Sequence, residues 1–190
     1  MKLLIHACCT DCLLKMVESI KSQNVGAYGN TPLQTEVTVY YYNPNIHPRS
    51  EYQSRLKAMQ LMIKDLKLII PDWKPKEYFE VQNPSKSPFD LKGDLQKPNR
   101  CLNCWRLRLE KTAKFAKENG FESFTSTLLT SEYQNGEIIE KIGKEIGKKY
   151  EIEFFVPKNV CKHLETKGFY KQVFCGCCYS LVERFEEKFS

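Results

Sequence analysis

The chain has 190 residues, 42% hydrophobic and 27% charged, the balance of a globular protein rather than a disordered or collagenous one. It carries 29 Lys+Arg against 23 Asp+Glu, a formal charge of +6, and no apolar run approaches the roughly 20 residues needed to span a bilayer. Met1-Lys2-Leu3-Leu4-Ile5-His6 is too short for the apolar stretch of a signal peptide, so the expectation is a cytoplasmic protein with no membrane partner, folded as a single domain over residues 1–190.

Leu3-Leu4-Ile5 reads as a strand that turns through Cys8-Cys9-Thr10-Asp11-Cys12 into a helix over Leu13 to Ser22. Val37-Thr38-Val39-Tyr40-Tyr41-Tyr42 is β-branched and aromatic, a buried strand stopped by Asn43-Pro44-Asn45. Tyr52, Leu56, Met59, Ile63 and Leu66 share one face of a helix over Ser50 to Leu66. Pro71 to Pro98 holds five prolines and reads as one long irregular loop. A helix over Leu102 to Glu118 with a Gly120 C-cap, a strand over Glu122 to Thr127, a helix over Glu137 to Lys149, a strand over Ile152 to Val156 and a last helix over Tyr179 to Phe189 complete the chain. Strands alternating with helices predict an α/β fold, a mostly parallel sheet with flanking helices.

The nine cysteines fall at 8, 9 and 12, at 101 and 104, at 161, and at 175, 177 and 178. In a reducing compartment, clustered cysteines bind metal or do redox chemistry. The first group sits where a strand ends and a helix begins, where amide N–H groups and the helix dipole stabilise thiolates. Cys101-x-x-Cys104 is half of a four-ligand site, and the first group is the obvious donor of the rest. Cys175-Gly176-Cys177 brings two sulfurs together across a flexible glycine. A disulfide there closes a small strained ring, a poor staple and a good electron relay, while a metal site and a plain buried thiol cluster remain the alternatives. A redox pair near the other two groups favours an electron-carrying cluster over zinc. Cys161 stands alone and reads as a core residue.

The nucleotide loops G-x-x-x-x-G-K-[ST] and G-x-G-x-x-G are missing, so no ATP or NAD is expected at the first loop. His6, His47 and His163 are scattered and read as structural. From Lys86 to Lys117 there are nine basic and three acidic residues. Such a patch attracts a polyanion such as nucleic acid.

Five ordered motifs together resemble the QueH family of epoxyqueuosine reductases. They are Cys8-Cys9-x-x-Cys12, Tyr42-Asn43-Pro44-Asn45-Ile46-His47-Pro48, Arg100-Cys101-x-x-Cys104-Trp105-x-x-Arg108-Leu109, Ser126-Thr127-Leu128-Leu129-Thr130-Ser131-x-Tyr133-Gln134 and Tyr170-Lys171-Gln172-x-Phe174-Cys175-Gly176-Cys177. The resemblance implies a fold related to the nucleotide α-hydrolase-like (HUP) fold, with a cysteine-rich C-terminal segment. It implies reduction of the epoxide of epoxyqueuosine at the tRNA wobble position to queuosine, the last step of queuosine synthesis. It makes Cys8, Cys9, Cys101 and Cys104 the ligands of a [4Fe–4S] cluster and Cys175 and Cys177 a redox-active pair. It also implies an additional mononuclear iron, for which Asp11 and Cys12 are the candidate ligands. The partners implied are tRNA carrying epoxyqueuosine and an external electron donor. Asp11 or Tyr133 is the expected proton source. Arg100, Arg106, Lys111 and the Lys86–Lys97 stretch are candidates for phosphate contacts, Tyr133 or Trp105 for stacking, and Gln134, Lys171 and Gln172 are further substrate-binding candidates. Two positions depart from the pattern. Lys171 stands where an arginine is expected, which keeps the charge and loses a bidentate fork, and Cys178 adds a third thiol beside the pair.

Two other function classes fit parts of the sequence. Cys9-x-x-Cys12 between a strand and a helix is the arrangement of a thioredoxin-like thiol–disulfide oxidoreductase, which leaves two cysteine groups idle. A non-catalytic RNA-binding module held by zinc also fits, and binds tRNA without regard to the wobble modification.

Overall fold

Leu3, Leu4 and Ile5 have no exposed surface, because their strand, β1 (Lys2–His6), is the middle of the sheet. The structure is a computed structural model and describes residues 1–24, 35–82, 99–161 and 163–189. The remaining strands are β2 (Glu36–Tyr40), β3 (Lys67–Ile69), β4 (Ser123–Ser126) and β5 (Glu153–Phe154). The helices are α1 (Thr10–Asn24), α2 (Arg49–Met62), α3 (Pro75–Gln82), α4 (Asn99–Glu118), α5 (Gly136–Tyr150) and α6 (Cys178–Phe189), with a 3-10 turn over Thr127–Thr130. All pairings are parallel, in the order β3-β2-β1-β4-β5. This is the α/β architecture expected from the alternation of elements. Parallel strands buried on both faces read as continuous apolar runs, as β1 does.

The sequence turns from β2 to β4 at β1. His6 pairs with Tyr40 on one side and Ser126 on the other. In open parallel sheets the crevice beyond the strand ends at this reversal is where ligands bind. The loop Ala7–Cys9 and the 3-10 turn after β4 form its walls.

Several elements differ from the sequence reading: α1 begins at Thr10 rather than Leu13, β2 ends at Tyr40 rather than Tyr42, and β5 is Glu153–Phe154 rather than Ile152 to Val156. α2 stops at Met62, with Ile63 as its C-cap, and the next apolar residues form the short strand β3 rather than a last helical turn. α3 lies inside the stretch read as irregular. Its Pro75 stands at the first helical position, where a missing N–H costs nothing, and its Tyr78 and Gln82 are buried. α4 begins at Asn99, three residues earlier than expected, so Cys101 and Cys104 both lie on its first two turns. Gly120 does follow α4 in the left-handed region, with the Phe121 amide donating to Ala116 O at 3.0 Å.

Candidate active site

The sequence brings Cys8, Cys9 and Cys12 together because β1 ends at His6 and α1 begins at Thr10. Their three sulfurs all lie within 4.8 Å of one another, and all three residues are buried. The Cys8 amide and sulfur both meet Thr127 Oγ1, at 3.2 and 3.4 Å. The Cys12 amide, in the first turn of α1, donates to Cys9 Sγ at 3.4 Å. Gln172 Nε2 donates to the same sulfur at 2.8 Å. The Cys8 thiol is held well below its ordinary value by hydrogen bonds from Cys12 and Cys9. Burial pushes Cys9 up, and the hydrogen bonds to Cys8 and Cys9 push Cys12 up. Cys8 is thus the most acidic thiol of the trio.

The second group joins two cysteine pairs that are far apart in sequence. Cys101 and Cys104 of α4 line one cleft with Cys175 and Cys177. Cys104 packs against Tyr78 and Cys177. Burial pushes its thiol up to about 12. Cys175 and Cys177 are free thiols with their sulfurs 3.5 Å apart. Cys175 donates a hydrogen bond to Cys177, which holds Cys177 down at about 5 with help from the Ser180 amide. The same contact pushes Cys175 up. This is a thiol facing a thiolate, the arrangement thiol–disulfide exchange uses. The third thiol, Cys178, opens α6 and is pushed up to about 11 by burial.

Two buried arginines hold these groups in place. Arg55, on α2, is 2% exposed. Its Nε donates to Glu51 Oε1 at 2.6 Å, and its other nitrogens donate to Cys175 O and Phe174 O at 3.2 and 3.1 Å. Gly176, at φ +111°, passes directly over the guanidinium, and a Cβ there would stand 3.0 Å from it. Arg108, on α4, donates to His6 Nε2 at 3.3 Å, to Asn43 Oδ1 at 3.0 Å and to Cys104 Sγ at 4.0 Å. His6 also meets Ser126 Oγ and Tyr42 O. Burial and Arg108 push its pKa down to about 3, so the ring is neutral. Arg55 was not singled out from the sequence, and Arg108 stood there only as a position of the third motif, with no role. The available signal was position: Arg55 falls three residues after Tyr52 and four before Met59, on the apolar stripe, and Arg108 follows Trp105 by three.

A cavity of about 410 Å³ opens beside the first group, within the size range of small-molecule sites, roughly 300–1,000 Å³. Asp11, Cys12, Lys15, Tyr133, Lys171 and Gln172 are among its walls. Burial raises the Asp11 pKa, but Thr166, Lys15 and Lys171 outweigh it and hold the carboxyl below the usual range. Lys15 Nζ bridges Asp11 at 3.0 Å and Glu132 at 2.9 Å. Tyr133 also borders a second cavity, of about 180 Å³, with Gln134, Cys101, Cys175 and Cys177. Tyr133 thus stands between the two sulfur groups.

Of the other sequence candidates, Arg100 and Trp105 line the cleft of the second sulfur group. Arg100 is buried, ion-paired with Glu183 and 5.2 Å from the Tyr179 ring. Arg106 is exposed and pairs with Glu145 at 3.2 Å, and Lys111 pairs with Glu77 at 3.2 Å. Trp105 is a core residue whose indole N–H donates to Gln134 Oε1 at 2.6 Å. Cys161 is half-exposed rather than in the core, its amide bonded to Ser19 Oγ. The Lys86–Lys97 stretch lies outside the described residues.

The donor set fits a thiophilic metal group. The first three donors are buried sulfurs, with the Asp11 carboxylate on the first turn of α1 beside Cys12. Thiolates of this kind select iron–sulfur clusters or zinc over oxygen-seeking ions. Cys101 and Cys104 supply two more sulfurs, with Cys104 Sγ 4.0 Å from the Arg108 guanidinium.

Comparison with known proteins gives a consistent result. A family model described as "Epoxyqueuosine reductase QueH" matches residues 3–183. The chain is similar to a protein of that name from Thermotoga maritima, 34% identical over 97% of this chain and 92% of the relative. One from Dehalococcoides mccartyi is 32% identical over 97% and 94%, and one from Staphylococcus epidermidis 25% identical over 96% and 77%.

Proposed function

The chain belongs to the QueH family of epoxyqueuosine reductases, oxidoreductases of tRNA modification, and from that premise we propose how its three cysteine groups divide the work. The substrate is tRNA carrying epoxyqueuosine at the wobble position. The epoxide gains two electrons and two protons and loses its oxygen as water, leaving the alkene of queuosine. Residues 1–190 act as one reductase domain, in the cytoplasm where tRNA resides.

Cys8, Cys9, Cys101 and Cys104 hold a [4Fe–4S] cluster, and Asp11 with Cys12 provides ligands for a further iron. Such a centre, when bound, supplies single electrons and Lewis acidity toward the epoxide oxygen. The protein's own residues do the rest. The modified base enters the cavity between Lys15, Tyr133 and Lys171. There Gln172, anchored on Cys9 Sγ, presents its amide to the base, while Gln134, anchored on Trp105, lines the neighbouring cavity by Cys175 and Cys177. Lys171 and Lys15 keep Asp11 ionised at the cavity wall, which suits a ligand and leaves proton delivery to Tyr133, whose ring borders both cavities. Cys175 and Cys177 store two electrons as a dithiol. On forming their disulfide, this thiol and thiolate release two electrons and the Cys175 proton, and an external donor resets them.

The observation that carries this reading is the meeting of the cysteine pair 101/104 with the pair 175/177 in one cleft that Arg108 also lines. Protein purified without oxygen tests it. Brown protein with about four or more irons per chain and matching sulfide, active on epoxyqueuosine tRNA, is the expected result. Colourless protein that holds zinc and takes up no iron on reconstitution would overturn the redox reading in favour of a zinc-held binding module.

A further inference from the structure

Arg108 is a buried cation without a carboxylate. It is 2% exposed, in the middle of α4. Its hydrogen bonds go to a neutral imidazole, an amide oxygen and a sulfur. Among the described residues it takes part in no ion pair. The other buried cations differ. Arg55 is matched by Glu51, Lys15 by Asp11 and Glu132, and Arg100 by Glu183. An unmatched guanidinium in a protein interior is costly unless negative charge lies beside it. Cysteine sulfurs stand where that charge would reside: Cys104 Sγ lies 4.0 Å from Nη1, and Cys8 follows by two residues the His6 ring that lies 3.3 Å from Nε.

We propose that Arg108 is the counter-charge of the cysteine-bound centre, and that its fixed positive charge sets the potential at which that centre accepts an electron. The proposal rests on the cluster reading above. The geometry supports it in two ways. First, Arg108 reaches both halves of the ligand set. It stands one turn after Cys104 and bonds His6, two residues before Cys8. Second, both groups that orient it are uncharged. Asn43 accepts from Nη2 while its own amide donates to Ala7 O at 2.8 Å. The His6 ring is in turn held by uncharged groups, with Nδ1 2.8 Å from Ser126 Oγ and Nε2 3.0 Å from Tyr42 O. The guanidinium is therefore fixed without being neutralised. Adding an electron makes the centre more negative, so a nearby cation stabilises the reduced state more than the oxidised one, and a low dielectric strengthens the effect. Arg108 acts through the ligands and is a positioning residue.

The test uses anaerobically reconstituted native protein, Arg108→Lys, Arg108→Gln and Asn43→Asp. Iron and sulfide are measured first, then the midpoint potential of the one-electron reduction by poised spectroscopy. Native protein and Arg108→Lys should share a potential. Arg108→Gln, which removes the cation, should move to a more negative one. Asn43→Asp changes almost no volume and sets a carboxylate against the guanidinium, so it should move the same way. If Arg108→Gln fails to load, Asn43→Asp decides the matter. An unchanged potential in a loaded Arg108→Gln or Asn43→Asp overturns the proposal. So does an Arg108→Lys shift as large as that of Arg108→Gln, because geometry would then be the cause. Native protein that takes up no iron overturns the cluster reading itself, and the counter-charge with it.

Discussion

Cys175 and Cys177 stand one residue apart and are chemically unlike, because the hydrogen bond between them raises one and lowers the other. A pair that stores electrons needs both sulfurs. Cys175→Ala and Cys177→Ala should each abolish multiple turnover while iron content stays at the native level. Full activity in Cys175→Ala under the same reductant would remove the relay from the scheme. The loop that carries the pair is clamped by Arg55. Arg55→Gln breaks its buried pair with Glu51 and should cost about 3–5 kcal/mol in urea unfolding, and Glu51→Gln added to it should recover part of that loss. His6 gives a pH signature. Its folded pKa is pushed down to about 3, against 6.5 when free. The folded ring therefore resists a proton that the unfolded chain accepts. The stability this contributes is fully present above pH 6.5 and is lost as pH falls from there toward 3, by up to ~5 kcal/mol in all. Urea midpoints of native protein and His6→Gln between pH 7.5 and 4.5 check this, and the variant should show the shallower decline. At this scale the cysteines were legible from spacing alone. The arginines were not, because an arginine in a sequence reads as surface, and only its register on an apolar helix stripe says otherwise.

The elements differ in how tightly they are held. α5 lies so close to β5 that a Cβ on Gly147 would stand 2.7 Å from Ile152 O. Backbone cannot swing aside as a side chain can. Gly147→Ala should therefore destabilise by about 1–3 kcal/mol, the usual cost of overpacking, read as a lower midpoint in thermal unfolding with the secondary structure intact. α6 is at the other extreme, since it has no buried residue and exposes Val182, Phe185 and Phe189. Its amides should exchange with solvent well before those of β1. The long elements were readable from their periodicity. β3 was hidden because Leu66-Lys67-Leu68 continues the apolar face of α2, and the break at Ile63 comes from tertiary packing. α3 was hidden because its prolines read as loop, although Pro75 is where a helix tolerates one.

Across the whole molecule, charge and topology address different partners. A net charge of +6, concentrated between Lys86 and Lys117, should make tRNA binding strongly salt-dependent, since each phosphate neutralised releases counterions. Binding of tRNA measured from 50 to 200 mM salt should weaken steeply, and a flat profile would count against an electrostatic footing. No described helix is long and apolar enough to cross a membrane. The sheet order, unreadable from sequence, puts the first cysteine loop at the crevice between β1 and β4.

That topology has a consequence for how the protein is made. The partners of the first loop are distant in the chain: His6 meets Ser126 and Cys8 meets Thr127 at separations of 120 and 119 residues, and Cys9 meets Gln172 at 163. Contacts so far apart in sequence form late, because the closure of long loops precedes them. The first three thiols leave the ribosome early, yet they gain their enclosing walls only once most of the chain has followed. Through that interval they are open to oxidants and to the wrong metal. The nascent chain, more than the finished enzyme, is thus the state in which this site is most easily spoiled.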